Sequence, residues 1–242
     1  MRIKGIALGI LIFTLASGIA YAQDPVTPNA SPEARALLKY LYGISGKHIL
    51  AGQHNFPNSG SRNTDFAAGF IGKTPPVWSQ DFGFAAEGDK DSYLARPEII
   101  KEAIRQHRNG YLITLCWHAV PPTAVEPVTF QPVRGADPAA PLASVQGKLT
   151  DKQFRDILTR RTDLYNQWIR QVDEIAGFLK QLSDAKVPVL WRPYHEMNGD
   201  WFWWGGRYQG KYTTAALFRQ MVDRLVNYRK LENLLWVWSV DR

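Results

Sequence analysis

Val187-Pro-Val-Leu-Trp-Arg-Pro-Tyr-His-Glu-Met-Asn-Gly-Asp-Trp-Phe-Trp-Trp-Gly205 is the stretch on which the reading of this chain turns. Val187, Val189, Leu190 and Trp191 form a short β-prone run, and Pro193, with no N–H to offer a ladder, marks its end. The chemistry begins there: an imidazole (His195), a carboxylate (Glu196), a side-chain amide (Asn198), a glycine and three tryptophans follow within a few residues. A buried strand would continue with Val and Ile. A solvent loop would avoid Trp201, Phe202, Trp203 and Trp204 together, because they leave a large apolar patch in water. A flat, polar occupant such as a sugar ring suits the mixture, since aromatic faces stack on its C–H surface while His, Asn and Asp reach its hydroxyls. Packing into a core is the competing use, and for any one tryptophan taken singly it is the commoner one.

Outward from this stretch the same unit recurs. Residues 48–54 read as a first strand ending in Gln53 and His54. Residues 76–83 read as a second ending in Gln80 and Asp81, and 111–118 as a third ending in Trp117 and His118. The stretch quoted above is the fourth, and 233–240 the fifth. Between them, 97–108 predicts a helix with Ile100, Ala103, Ile104 and His107 on one stripe, stopped by Gly110. The clearest helix is 163–183, with Leu164, Trp168, Val172, Ile175, Leu179 and Leu182 at helical spacing. A helix over 214–230 turns Leu217, Met221, Leu225 and Tyr228 inward. Near the start, Ser31 and Pro32 are the N-cap and first position of a helix over 34–42, placed to close a barrel floor. Residues 119–149, rich in Pro, Ala, Val and Gly, lack periodicity and predict a long loop, which in an enzyme would wall a cleft. Strand, polar exit and helix in repetition argue an α/β fold with a parallel sheet and its chemistry at the strands' C-terminal ends. A (β/α)8 TIM barrel fits best, with about the first five β/α units in this chain.

Residues 192–205 closely resemble the signature of glycoside hydrolase family 26, most of whose members are β-mannanases. The resemblance implies an endo-acting retaining enzyme for a mannan-type polysaccharide, with Glu196 as the general acid/base. It also implies that His195 orients the substrate or a second carboxylate, and that Trp201 to Trp204 help line the sugar subsites. Asn198, Trp117, His118 and Trp204 join His195 and Trp201 as candidate sugar contacts, whereas Gln53, His54 and Asp81 rest on strand-end position alone. In the family the nucleophile is a glutamate ending the seventh strand, which would fall beyond Arg242; Glu126, Glu174 and Glu232 lie in a loop, on a helix and before a strand. The last three barrel units are therefore expected to be missing, and this chain alone to be inactive. β-1,3-Xylanase and mixed-linkage β-glucanase are the neighbouring activities. A non-catalytic carbohydrate-binding barrel is the alternative of a different class, and it would keep the tryptophans without needing His195 and Glu196. Aromatic walls desolvate a carboxyl and favour the protonated form a general acid needs, while an arginine works the other way. Arg192 shares a strand face with Glu196 if alternation is unbroken.

Composition is that of a soluble globular domain: 242 residues, 45% hydrophobic and 21% charged. Arg2 and Lys4, the apolar run 6–16 and Ala20-Tyr21-Ala22 predict a signal peptide over 1–22, then a linker over 23–32 and the barrel portion over 33–242. The expected location is secreted or periplasmic, with no membrane span after cleavage and a monomeric full-length form. Cys116, the one cysteine, allows no intrachain disulfide; with no cation nearby in sequence it reads as a packing residue. The formal charge of +7 raises a polyanion-binding class, but the basic residues are dispersed and no nucleic-acid motif accompanies them. His195-Glu196 lacks the second histidine of a zinc protease helix, and 205–210 lacks the Lys-Ser/Thr of a phosphate loop, so neither metal nor cofactor is expected.

Overall fold

The structure, a computed structural model, describes residues 24–56, 59–83, 93–137 and 139–241. The expected signal peptide lies outside the described residues. Five strands, β1 (Gly52–His54), β2 (Val77–Asp81), β3 (Leu112–Trp117), β4 (Val189–Pro193) and β5 (Leu234–Trp236), form one sheet in chain order, parallel throughout. Helices α1 (Pro32–Ile44), α2 (Arg62–Ile71), α3 (Arg96–Arg108), α4 (Asp151–Ile157), α5 (Asp163–Asp184) and α6 (Thr214–Val222) complete it. Each strand is shorter than the sequence suggests, yet the polar exits Gln53, His54, Gln80 and Asp81 lie within the ladder.

Alternation along the strands divides the sheet into two faces. Trp78, Ile113, Leu115, Trp117, Val189 and Trp191 turn toward the helices and pack with Ile99, Ile100, Trp168, Val172, Ile175 and Leu179 in the main core. On the other face α1 sets Ala34 and Leu37 against Leu235, with Leu112 and Leu190 beside them, all near the N-terminal ends of their strands. That placement agrees with a helix closing a barrel floor. The Ser31 hydroxyl accepts from Ala34 N at 3.2 Å and Pro32 occupies the first turn, as expected.

Three local expectations are corrected. In α3 the buried stripe is Ile99, Ile100, Ala103 and Gln106 rather than one ending at His107. Gln106 tolerates burial because its amide donates to Ser61 Oγ at 2.6 Å and Glu102 Oε1 at 2.9 Å. After α6 the chain widens into a π-helix, Asp223–Tyr228, which changes the phase of the stripe, so Tyr228 is 66% exposed under the Arg224 guanidinium instead of facing inward. Within the region following the long loop, α4 was not anticipated, although Thr150 and Gln153 form a complete capping box at its start.

One buried cation ties the site's foundations together. Arg96, 1% exposed, donates to both Glu126 oxygens at 2.6 and 2.8 Å, to Glu174 Oε1 on α5 at 3.2 Å, and to Phe82 O at the exit of β2 at 2.9 Å. Glu126 belongs to the long loop, so β2, loop and helix meet on one guanidinium. Removing one partner of such a pair strands the other charge, which destabilises by about 3–5 kcal/mol. Arg96→Met is expected to lower the urea-unfolding free energy by about that amount, and Arg96→Met combined with Glu126→Leu to recover most of it. A loss below ~1 kcal/mol for the single variant would show that the pair contributes little.

Candidate active site

The strand ends bring together residues that are far apart in sequence. Asp81 ends β2, His118 follows β3, and His195 and Glu196 follow β4. The Asp81 carboxylate accepts from the backbone N–H of Gly83 at 2.7 Å and of His118 at 3.2 Å through Oδ1, and its Oδ2 meets His118 Nδ1. His118 Nε2 then lies 2.9 Å from His195 Nε2, with the two rings edge to face. Burial pushes the Asp81 carboxyl up, but His118, by charge and hydrogen bond, together with His195 and His54 holds it below the usual carboxylate range. Burial, with His118 beside it, pulls His195 down to about 3 against the opposing effect of Asp81, so its ring is uncharged near neutral pH.

The turn from Pro193 to Glu196 is where the strand pattern breaks. Tyr194 and Glu196 both have positive φ, 51° and 53°, in the left-handed region that bulky residues rarely enter. Tyr194 is consequently thrown onto the helix side, where its hydroxyl accepts from Trp168 Nε1 at 2.9 Å and its ring stacks on Trp117. His195 thereby reaches His118, and Glu196 is re-aimed. The condition under which Arg192 and Glu196 would share a face therefore fails, and Arg192 donates to Ser239 Oγ at 3.2 Å. Arg192 is instead the register partner of Cys116. The expectation of no cation near that thiol is thus overturned, yet burial still pushes the Cys116 thiol well up, in keeping with a packing role.

Glu196 is half-buried and its Oε2 accepts from Trp201 Nε1 at 3.0 Å. Trp201 is the one partly exposed aromatic of the 201–204 run. Its ring folds over Gly199, where an added Cβ would stand 2.2 Å from ring carbon Cη2, so only glycine fits. The end of the long loop holds this tryptophan in place: Gly147 N donates to Trp201 O at 2.8 Å, and Gln146 bridges Phe202. The end of the loop thus packs beside the candidate site.

Other expected contacts belong elsewhere. Trp204, fully buried, donates through Nε1 to His195 O at 2.9 Å and stacks on Phe202, so it supports the site from beneath rather than facing a ligand. Trp117, 2% exposed, sits among the helix-side core and has no open face for a sugar. The Asn198 amide is engaged at both ends by the backbone of Asp241, donating to its O at 3.0 Å and accepting from its N at 2.6 Å, which docks the segment after β5. His195 is 2% exposed, so it offers a sugar no open face, and its Nε2 lies against His118. Gln53 donates to His54 O, and His54 Nδ1 lies 2.8 Å from Ser79 Oγ. Asp81, ranked low on sequence because only its position at a strand end spoke for it, is central.

A parallel sheet of β/α units with a carboxylate, paired imidazoles and an aromatic at the strands' C-terminal ends places the molecule among the β/α-barrel proteins. The sequence model of glycosyl hydrolase family 26 matches residues 26–242, and the chain belongs to that family. It is 34% identical over 216 residues to a mannan endo-1,4-beta-mannosidase of Thermothelomyces thermophilus, covering 88% of this chain and 41% of that protein. The structure of GH26A from Muricauda sp. superposes with a TM-score of 0.78 at 41% identity, over 89% of this chain and 64% of that one. A beta-mannanase from a symbiotic protist of the termite Reticulitermes speratus, solved with a gluco-manno-oligosaccharide, gives 0.68 at 26% identity, over 88% and 63%. The chain thus spans between about two fifths and two thirds of the length of these relatives. Its sheet supplies about five of the units of an eight-unit barrel.

Proposed function

We propose that this chain carries the acid/base side of an endo-β-1,4-mannanase site that works by retaining double displacement. The observation that carries the proposal is Glu196 at the end of β4, held on Trp201 Nε1 at 3.0 Å beside the partly exposed face of that ring. Glu196 in its acid form protonates the leaving glycosidic oxygen and afterwards, as base, activates water. Trp201 offers a stacking face to the sugar and fixes the carboxyl through its N–H. The mannan preference rests on the named activities of the relatives. Of the other described acids, Asp81 is bound to His118, Glu126 and Glu174 to Arg96 and Asp200 to Lys148, Glu232 is exposed just ahead of β5, and Asp241 is held by its backbone on Asn198. We assign the nucleophile to a later strand, as the family resemblance implies.

Binding tests the reading without requiring turnover. Titration calorimetry with manno-, xylo- and cello-oligosaccharides is expected to show preference for the manno series, weakened by Trp201→Ala without loss of the folded state. Trp201→Phe, which keeps a ring and deletes the N–H, is expected to retain most of the affinity and, in an enzyme containing both catalytic carboxylates, to lower kcat about tenfold or more, since a hydrogen bond to a charged group contributes about 1.5–3 kcal/mol. Preference for xylo-oligosaccharides would redirect the substrate assignment. A large drop in thermal stability in Trp201→Ala with unchanged sugar affinity would return that ring to the core.

A further inference from the structure

We propose that Asp81 is a positioning residue that, acting through His118, fixes His195 as its Nε2–H tautomer and so sets how Glu196 leaves the end of β4. The inference rests on the reading of Glu196 as the acid/base only for its consequence in catalysis; the tautomers stand on geometry. An ionised carboxylate has no proton to give, so the contact of Asp81 Oδ2 with His118 requires His118 to carry a proton on Nδ1. The 2.9 Å contact between the two Nε2 atoms holds a single proton, which either ring can donate. Were His118 the donor, His195, uncharged, would carry its proton on Nδ1. That atom is buried and has no hydrogen-bond partner among the described residues. A buried unpaired N–H is among the rarest defects in folded proteins, so the proton belongs on His195 Nε2 and His118 accepts it.

The direction of the chain is therefore His195 Nε2–H to His118 Nε2, and His118 Nδ1–H to Asp81. His195 is held at its carbonyl as well, by Trp204 Nε1 at 2.9 Å. With ring and carbonyl both anchored, the peptide that leads into Glu196 has one orientation, and the positive φ of Glu196 is maintained by those anchors.

Asp81→Asn discriminates sharply because of what surrounds Oδ1. That oxygen accepts two backbone N–H groups, from Gly83 and His118. An asparagine must therefore place its carbonyl oxygen there and turn its NH2 toward His118 Nδ1. Nδ1 then has to accept, His118 becomes the Nε2–H tautomer, and its proton points at His195 Nε2. His195 is driven to the Nδ1–H form, with the buried unpaired donor that the native arrangement avoids.

The test is long-range 1H–15N correlation spectroscopy, with 15N-labelled histidine and assignment by single substitutions, on the polypeptide extended through the further β/α units. The expected native pattern is Nδ1–H for His118 and Nε2–H for His195, with both tautomers reversed in Asp81→Asn. In an active full-length enzyme the same variant is expected to lower kcat by up to about 10²-fold, the cost of a small misplacement of a reacting group, with KM for mannan changed less than about twofold. A native His195 in the Nδ1–H or imidazolium form would overturn the proposal, as would tautomers unchanged in a folded Asp81→Asn. If that variant fails to fold, the native spectrum decides. Because the spectra need no substrate, failure of the mannanase assignment would leave this result standing, and the reverse also holds.

Discussion

Glu196→Ala, in an enzyme containing both catalytic carboxylates, is expected to reduce hydrolysis of mannan by about 10²–10⁴-fold, the usual worth of general acid–base assistance. The loss should depend on the leaving group. A sugar hydroxyl leaves poorly and needs its oxygen protonated as the bond breaks, whereas a nitrophenolate leaves without that help. Aryl mannosides with good leaving groups should therefore retain far more of their glycosylation rate than mannan does. Glu196 also accepts from Trp201, so an alanine leaves the indole N–H to water at a half-buried position, a small structural effect compared with the catalytic one. Because deglycosylation also needs Glu196 as base, kcat/KM on mannan and on a nitrophenyl mannoside, which reports the glycosylation step, is the measurement that checks this. Equal losses on both substrates would rule out the acid role and leave Glu196 as a binding or structural group.

The second large effect concerns the chain by itself. Residues 23–242 expressed alone are expected to show no mannan hydrolysis above background, whereas a polypeptide extended through three further β/α units should be active. Retention requires two carboxyl groups about 5–5.5 Å apart across the sugar. Asp81, at the end of β2, is committed to His118, and Glu126, in the long loop, to Arg96. Physical state should follow chemistry. β1 and β5 are the edges of the described sheet, and next to β5 Trp238 is 50% exposed. Edges and apolar surface of that kind invite association, so the short form should sediment as oligomer or aggregate. Turnover by a soluble monomeric short form near that of the long form would overturn both the barrel count and the external nucleophile.

The sequence by itself determined the class of fold and the stretch from which the candidate site is built. Its information was local: β-branched runs with polar exits, the helical stripe of α5, the Ser31 cap, and a 192–205 motif too specific in composition to be packing alone. These are properties of neighbours along the chain, and periodicity and capping act on that scale. What a single tryptophan does was not legible, because exposure is decided by what folds against it: Trp201 stays partly open over Gly199, while Trp117 and Trp204 are covered. Likewise Tyr228 lost its inward place to a π-helical change of phase, and His107 yielded the buried stripe to Gln106, whose partner Ser61 lies 45 residues away. The tertiary structure alone decided that Asp81, His118 and His195, each the polar end of a different strand, form one hydrogen-bonded chain. The physical reason is parallel register: Asp81 pairs with Cys116, and Cys116 with Arg192, so the residues that follow converge at the C-terminal end of the sheet. The left-handed turns at Tyr194 and Glu196 then aim the last members of the set.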